Sequence, residues 1–250
     1  MACGFIPSGS QLFLTAQWRH LVMLSYEVDA ALLHPYVPRG TVLDSWQGSA
    51  FVSLVGFRFL NTRLLGVPIP MHRNFEEVNL RFYVRRVVGS EVRRAVVFLR
   101  EVVPRRAIAA VARLVYNEPY IAVPMRSTVD PTPPLSVAYR WRLKGSWSGC
   151  AARATGPSMV AEPETLEAFI TEHFWGYTRQ RDGGTIEYRV EHPRWTVWRA
   201  ADVQVPADLT DLCGRELGSV LVSPRSALIA DGSPVTVFSP QRVVSWEAAA

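Results

Sequence analysis

Lysine is almost absent from this sequence of 250 residues, because Lys144 is the only one of its 27 basic residues that is not an arginine. The excess of basic over acidic residues gives a formal net charge of +5 and a pI near 9.4. Such a charge fits a nucleic-acid or anionic-membrane partner, but the arginines are scattered and form no run of five or more. The sequence therefore predicts a generally basic surface and no nucleic-acid partner.

Cysteine is also scarce, and Cys3, Cys150 and Cys213 lie far apart without the paired spacing of a zinc or redox site. This usage predicts a reducing compartment. The N-terminus lacks the charged and apolar regions of a signal peptide, and the chain has no uncharged apolar run of about 18 residues. We therefore expect a soluble cytoplasmic protein that has no membrane partner.

Several catalytic motifs are missing as well. The chain has no phosphate-binding glycine-rich loop and no Rossmann fingerprint, and residues 145–149 place Trp147 where a serine-hydrolase elbow needs serine. The five histidines show neither an H-x-H nor an H-E-x-x-H spacing. Nucleotide binding and serine hydrolysis lose support, and we expect neither a metal site nor a cofactor.

What the chain has in quantity is short β-rich segments separated by turn residues. Its hydrophobic content of 48% is enough for a full core, and we expect one domain at 11–244 between a flexible leader (1–10) and a tail (245–250). The pattern predicts strands at 20–28, 50–60 with a bulge at Gly56, 78–85, 93–103, 121–124, 137–143, 149–155, 177–181, 185–191, 195–200, 218–222 and 235–238, helices at 29–33, 107–116 and 163–174, and a loop at 61–74. Many short strands with few helices indicate a mainly β (α+β) fold, a closed or partly closed antiparallel barrel.

Two stretches concentrate charge beside this sheet, and they mark a candidate site. Residues 70–82 contain Glu76 and Glu77, and the Pro104-Arg105-Arg106 step follows the next strand. A buried surface tolerates such charges only when they are paired or used. Glu76 and Glu77 point to opposite faces of a strand, so at most one should enter a cavity, and we choose Glu77.

Several motifs resemble those of the YqjF-like family (DUF2071), a family of unknown function in the acetoacetate decarboxylase-like superfamily. These are Gln-Trp-Arg-His at 17–20, Ser-Leu-Val-Gly-Phe at 53–57, Leu-Asn-Thr-Arg at 60–63, Arg-Asn-Phe-Glu-Glu-Val-Asn-Leu-Arg at 73–81 and Val-Pro-Arg-Arg at 103–106. The resemblance runs from about residue 12 to residue 244. It implies a cone-shaped antiparallel β-barrel with a few short peripheral helices and a central ligand cavity.

The resemblance also implies roles for single residues. The superfamily's decarboxylases have a first-strand arginine, two cavity glutamates and a Pro-Lys-Lys step whose first lysine forms a Schiff base. Arg19 falls at the arginine, Glu77 at the second glutamate, Ser53 near the first glutamate, and Arg105 at the Schiff-base lysine. Because lysine and glutamate are replaced there, the resemblance does not imply decarboxylation by the parent mechanism.

The predicted function is an enzyme-like barrel that acts on a small carboxylate or keto-acid by lyase or isomerase chemistry without a Schiff-base lysine. The alternative is a non-catalytic metabolite-binding protein. Predicted catalytic residues are Glu77 and Arg105, and predicted substrate-binding residues are Arg19, Ser53, His72, Arg73 and Arg106. Each also has a purely structural interpretation, such as anchoring a strand or fixing a loop. The resemblance implies a family whose members form oligomers, and exposed strand edges favour pairing between chains, so we expect a homo-oligomer.

Overall fold

The computed structural model describes residues 11–243, so the predicted leader (1–10) and tail (245–250) lie outside the described residues. Within this range the strands are β1 (Leu12–Val28), β2 (Val42–Leu43), β3 (Ala50–Leu64), β4 (Val67–Pro68), β5 (Phe75–Val88), β6 (Glu91–Val103), β7 (Tyr120–Ala122), β8 (Met125–Asp130), β9 (Ser136–Leu143), β10 (Ser146–Val160), β11 (Trp175–Arg179), β12 (Thr185–Glu191), β13 (Thr196–Gln204), β14 (Ser226–Phe238) and β15 (Gln241–Arg242). The helices are α1 (Arg106–Val115), α2 (Leu166–Thr171), α3 (Thr210–Cys213) and α4 (Arg215–Gly218), with 3-10 turns at Ala30–Leu32 and His34–Tyr36. None of these helices is long and apolar enough to cross a bilayer.

Seven strands close into a ring, in the order β12, β11, β6, β5, β3, β1 and β14, with β14 pairing back to β12. All these pairings are antiparallel except the short parallel contact between β6 and β11. The mainly β fold with a closed ring of strands and few short helices, predicted from the turn-separated strands, is confirmed. A ring has no free edge along its wall, so every wall strand has partners on both sides.

A second layer covers part of the outside of this ring. Strands β13, β10, β9 and β8 continue from β14 and pack their apolar side chains onto β1, β3 and β5. Tyr139 of β9 lies against Gly56 of β3, where an added Cβ would be 2.5 Å from a ring carbon of Tyr139. Gly56 therefore permits close packing of the two layers. The sequence predicted a bulge at Gly56 of β3. The irregularity in the β1–β3 pairing lies in the opposite strand, between Arg19 and Val22 of β1, where His20 has a φ of 57°.

Strand β5 divides its side chains between the two sides of the ring wall. Val78, Leu80 and Phe82 face the covering layer and belong to its apolar core. Glu77, Asn79 and Arg81 alternate with them and line the interior of the ring. Both sets are buried. The half-polar pattern of this strand thus reflects a polar interior face.

Three other segments differ from the sequence-based prediction. The predicted strand at 218–222 is the end of α4 and a following turn, because Gly218 packs against Thr210 so closely that an added Cβ would lie 2.5 Å from its backbone. The helix predicted at 163–174 is shortened to α2, since Glu164 has a φ of 66° and Thr165 caps the first turn by accepting from the Ala168 N–H. The predicted loop at 61–74 contains the end of β3 and its hairpin partner β4.

Candidate functional site

A cavity of about 260 Å³ occupies the interior of the ring. Most of its wall is apolar, with aromatic side chains from β1, β3, β5 and β6 and with helix α1 and the β3–β5 connection closing one side. Polar groups are few and converge from several strands: Glu77, Asn79 and Arg81 from β5, Glu101 from β6, Glu118 and Tyr120 near β7, and His173 after α2. An apolar cavity with a few converging polar groups is typical of small-molecule sites.

Glu77 is the best-connected carboxyl group of this cavity. Its Oε1 accepts a hydrogen bond from Asn79 Nδ2 at 3.2 Å, and its Oε2 accepts one from the Tyr120 hydroxyl at 3.0 Å. Both donors and the charge of Arg81 favour the carboxylate, but burial opposes them and raises the pKa of Glu77 to about 7. A carboxyl group with this pKa can both donate and accept a proton near neutral pH.

Arg81 supplies a positive charge beside Glu77 that the protein itself satisfies only weakly. The residue is 8% exposed, and its Nη2 donates one long hydrogen bond of 3.4 Å to the Ile170 carbonyl. Its Nε has no hydrogen-bond partner among the described residues. Because a guanidinium carries five N–H donors and is well suited to carboxylates, Arg81 can bind a ligand anion within the cavity.

Glu101 and Glu118 bring two more buried carboxyl groups to the same wall. Oε1 of Glu118 accepts hydrogen bonds from the hydroxyls of Thr178 and Tyr188, the latter at 2.9 Å. Oε2 of Glu101 and Oε2 of Glu118 have no partner among residues 11–243. Burial raises the pKa of Glu118 to about 8, and burial together with the charge of Glu118 raises the pKa of Glu101 well above its usual value. Both groups are therefore largely neutral at pH 7.

Three histidines complete the polar lining: His72, His173 and His192. His173 is buried against the ring of Tyr83 at a centroid distance of 4.5 Å, and neither of its ring nitrogens has a hydrogen bond among the described residues. Burial, helped by the charges of Arg94 and Arg81, lowers the pKa of His173. His72 places its Nδ1 3.0 Å from the Pro70 carbonyl. Because a carbonyl can only accept, Nδ1 carries the proton and Nε2 of the neutral ring is an acceptor.

The structure brings together only part of the set predicted from the sequence. Glu77 and His72 line the cavity, whereas Arg19, Ser53 and Arg73 do not. Arg19 forms an ion pair with Asp231 at 2.9 Å, beside its pairing partner Gly232 of β14. The Ser53 hydroxyl is fully buried and lies 2.6 Å from each of the Ser25 and Tyr83 hydroxyls.

The remaining predicted arginines lie on the outside of the cavity wall. Arg73 is exposed, and its Nη2 donates to Asn61 Oδ1 at 3.4 Å. Arg105 and Arg106 are exposed at the start of α1, directly before the cavity-lining Ala107 and Ile108. Their side chains thus border the cavity without lining it. Lys144 is farther away in a turn, where it is 73% exposed and pairs with Asp211 at 2.7 Å.

The buried carboxyl groups predict that stability depends strongly on pH. The pKa of Glu118 is 4.5 in the unfolded chain and about 8 in the folded protein. Between these pH values the carboxyl group keeps its proton in the folded protein and loses it in the unfolded chain. This stabilisation is complete below pH 4.5 and is lost as pH rises toward 8. Replacing Glu118 with Gln removes the titrating group, so the variant should lose roughly 4 kcal/mol less of its free energy of unfolding over this pH range than the wild-type protein. Urea denaturation between pH 5 and pH 9 measures it, with the exposed Glu216→Gln as control; parallel wild-type and E118Q curves would contradict it.

Comparison with solved structures identifies the fold class of this protein. The fold resembles acetoacetate decarboxylase from Legionella pneumophila with a TM-score of 0.65, at 11% identity over 98% of this chain and 92% of that chain. It also resembles the enduracididine biosynthesis enzyme MppR in complex with pyruvate, with a TM-score of 0.63, at 11% identity over 98% of this chain and 94% of that chain. The protein therefore has an acetoacetate decarboxylase-like fold.

Sequence comparison gives the family. The model of DUF2071, described as an uncharacterized conserved protein, matches residues 15–240, and the chain belongs to this family. The uncharacterized protein YqjF of Bacillus subtilis is 27% identical over 202 residues, which cover 80% of this chain and 81% of YqjF. The family resemblance found in the sequence motifs is thus confirmed.

The sequence analysis missed the charged cavity residues Arg81, Glu101 and Glu118, and it also did not assign Asn79, Tyr120, His173 and His192 to the site. The sequence did contain an indication that Arg81 belongs to the site. Arg81 lies four residues after Glu77, and the alternation of a strand puts both side chains on one face of β5. Glu101 is also an acidic residue within an apolar strand segment. Glu118 lies between helix α1 and strand β7, where no periodicity indicates which way its side chain points.

Proposed function

We propose that the protein binds a small keto-acid or related carboxylate in its cavity and acts on it by lyase or isomerase chemistry. Arg81 holds the ligand carboxylate, and Glu77 transfers a proton. The observation that carries this proposal is the interior face of β5, where a guanidinium with an unpartnered Nε and a carboxyl group with a pKa of about 7 line one cavity. The pyruvate bound by MppR, a protein of similar fold, supports the ligand class.

The chemistry that fits these groups is proton transfer next to a carbonyl. Ionised Glu77 removes a proton from the carbon beside the substrate carbonyl, and the C–H electron pair moves to form an enolate. The Tyr120 hydroxyl and the Asn79 amide, which now bond to Glu77, are donors within reach of charge that develops beside it. Neutral Glu77 then returns the proton to a different carbon in the isomerase case. In the lyase case the enolate forms a C=C bond as the bond to a leaving group on the adjacent carbon breaks, and that group takes the proton from Glu77.

A second candidate is a metabolite-binding protein without catalysis. It is favoured by the absence of any lysine from the cavity lining in residues 11–243 and by the mostly apolar wall. Both candidates require a ligand, and they differ in whether a proton of that ligand is exchanged.

One experiment separates the two candidates. A thermal-shift screen of small carboxylic and keto acids identifies ligands, and each ligand that stabilises the protein is then incubated with it in D₂O. Proton NMR shows whether the hydrogens next to the ligand carbonyl are replaced by deuterium. Exchange supports the enzyme, stabilisation without exchange supports the binding protein, and no stabilisation by any acid contradicts both.

No Schiff base is expected to form in this protein. Arginine keeps its proton and its nitrogens are delocalised, so Arg105 cannot form the imine that the lysine of a Schiff-base enzyme forms. Lys144 is exposed and paired with Asp211, away from the cavity lining. Incubation with acetoacetate or pyruvate and borohydride should leave the intact mass unchanged. A stable adduct that disappears in Lys144→Arg would reopen Schiff-base chemistry.

We further propose that exposed arginines beside the cavity attract anionic ligands. Arg73 follows the cavity-lining His72, and Arg105 and Arg106 precede Ala107. Neither the stretch 61–74 nor the stretch 105–117 contains an aspartate or glutamate. Positive potential near a binding cavity raises the association rate of an anion, and salt screens this effect.

Charge reversal tests this role. In Arg105→Glu/Arg106→Glu we expect the association rate of a carboxylate ligand to fall roughly tenfold at low salt. The difference should nearly vanish in 0.5 M NaCl, while the dissociation rate changes little. Stopped-flow fluorescence measures both rates, with the exposed Arg199→Glu as control. A loss that persists at high salt would instead indicate direct contact with the ligand.

A further inference from the structure

The cavity contains more carboxyl groups than the binding of a simple carboxylate ligand requires. Three of its carboxyl groups, Glu77, Glu101 and Glu118, face one guanidinium, that of Arg81. If all of them were ionised, the buried charge would be −3 + 1 = −2, and a bound carboxylate would make it −3. Such a charge in a closed apolar space is strongly unfavourable unless a cation joins it.

The acceptors for such a cation are already in place. Glu101 and Glu118 are 2% and 5% exposed, both line the cavity, and each has an Oε2 without a hydrogen-bond partner in the described part of the chain. A buried acceptor that is left unpaired costs free energy, which a donor on a ligand would recover. The other oxygen of Glu118 is held by Thr178 and Tyr188, so its orientation is fixed.

An inorganic cation fits this arrangement less well than an organic one. Among residues 11–243, no group of three or more His, Cys, Asp or Glu side chains is arranged to hold a metal ion. The polar wall is small, and the apolar remainder of the cavity, including Trp18, Phe59 and Trp195, suits the carbon skeleton of an organic ligand.

We propose that Glu101 and Glu118 form a subsite for an ammonium group, so that the ligand of this protein carries both a carboxylate and an amine. The proposal rests on the proposed function, since Arg81 receives the carboxylate. It narrows the ligand class to amino-substituted acids whose carbon skeleton occupies the aromatic part of the cavity. The ammonium donates to the two unpartnered Oε2 atoms, and the carboxyl groups lose their protons when it binds.

Matched ligand pairs test the subsite. Each ω-amino acid with one to five methylene groups is compared with the acid of equal length that ends in methyl, and phenylalanine is compared with 3-phenylpropanoate. The best amine-bearing ligand should bind roughly tenfold to hundredfold more tightly than its partner, as expected for a hydrogen bond between charged groups. Isothermal titration in buffers of different ionisation enthalpy should show proton release only for the amine-bearing ligand.

The binding affinity should change with pH in opposite directions for plain carboxylates and for the ammonium group of an amine-bearing acid. The titratable groups that line the cavity with the subsite are Glu77, Arg81, Glu101, Glu118, Tyr116, Tyr120, Tyr188, His72, His173 and His192. The raised pKa values of Glu77 and Glu118, about 7 and about 8, mean that a plain carboxylate binds more weakly as these groups ionise. An ammonium ligand needs them ionised, so its advantage should grow between pH 6 and pH 8.5.

Variants separate this proposal from the proposed function. Glu101→Gln and Glu118→Gln should reduce the affinity for the amine-bearing acid to that for its methyl-ended partner, while the partner's own affinity changes less than twofold. Plain amines such as phenethylamine should bind in Arg81→Met but not in the double variant E101Q/E118Q. Circular dichroism and thermal melts check that each variant folds.

The outcomes are distinct. If plain acids bind through Arg81 and the amine gives no advantage, the subsite is wrong and the proposed function stands. If plain amines bind through Glu101 and Glu118 while no acid binds, the subsite stands and the proposed function fails. Equal weakening of both ligands by E101Q and E118Q, or binding of neither ligand type, overturns the subsite.

Discussion

Arg81→Met is expected to weaken the binding of every carboxylate ligand by roughly 100-fold or more. The ligand anion would then be buried beside Glu77 without a countercharge, and both desolvation and repulsion would oppose it. Methionine fills most of the volume of the arginine stem, so the cavity should keep its shape. Isothermal titration with the best acid from the ligand screen measures the loss.

One further variant shows whether the loss of affinity comes from the charge of Arg81 or from its ability to form two parallel hydrogen bonds, and a second variant is a control. Arg81→Lys keeps a positive charge but cannot form two parallel hydrogen bonds, so we expect an intermediate affinity. Arg199→Met removes an exposed arginine of β13, outside the cavity lining, and should bind like the wild-type protein. If Arg81→Met binds carboxylates normally, the anion site lies elsewhere, and Arg19, Arg73, Arg105 and Arg106 become the next arginines to test.

Local sequence patterns were sufficient for most of the fold. The strands predicted at 78–85, 137–143 and 149–155 lie within β5, β9 and β10, and those predicted at 177–181 and 185–191 overlap β11 and β12. The prediction of a strand at 218–222 was wrong because tertiary packing of Gly218 on Thr210 decides that segment. Short apolar runs do not distinguish a strand from a helical turn.

The site was less predictable than the fold, for a physical reason. Alternation in β5 indicated that Arg81 shares a face with Glu77, but the same pattern is typical of a strand with one face in water. Only the closure of the ring buries that face. Closure depends on the pairing of Val190 with Val237 and of Glu191 with Thr236, and each pair is more than forty positions apart in sequence. Glu118 enters the cavity from a connection, where side-chain direction follows from the fold alone.

Glu77→Gln is expected to lower the rate of ligand deuterium exchange by about 10²- to 10⁴-fold, the usual contribution of a general base. Glutamine has nearly the same shape and can still accept from Tyr120, but it cannot take a proton. Ligand affinity should therefore change by only a few fold. In the wild-type protein, exchange at low ligand concentration should rise with pH and reach half its maximum near the pKa of Glu77, about 7.

The neighbouring residue provides the matched control. Glu76 lies on the opposite face of β5, where its Oε1 accepts a hydrogen bond from the Ser127 hydroxyl of β8 at 2.8 Å. Glu76→Gln changes the same functional group in the same strand without touching the cavity, so exchange should stay within a few fold of the wild-type rate. If E77Q retains the exchange rate and its rise with pH, another group is the base, and Glu118, with a pKa of about 8, is the next candidate. The pH at half-maximal exchange would then lie about one unit higher, because the more strongly raised pKa would control the rate.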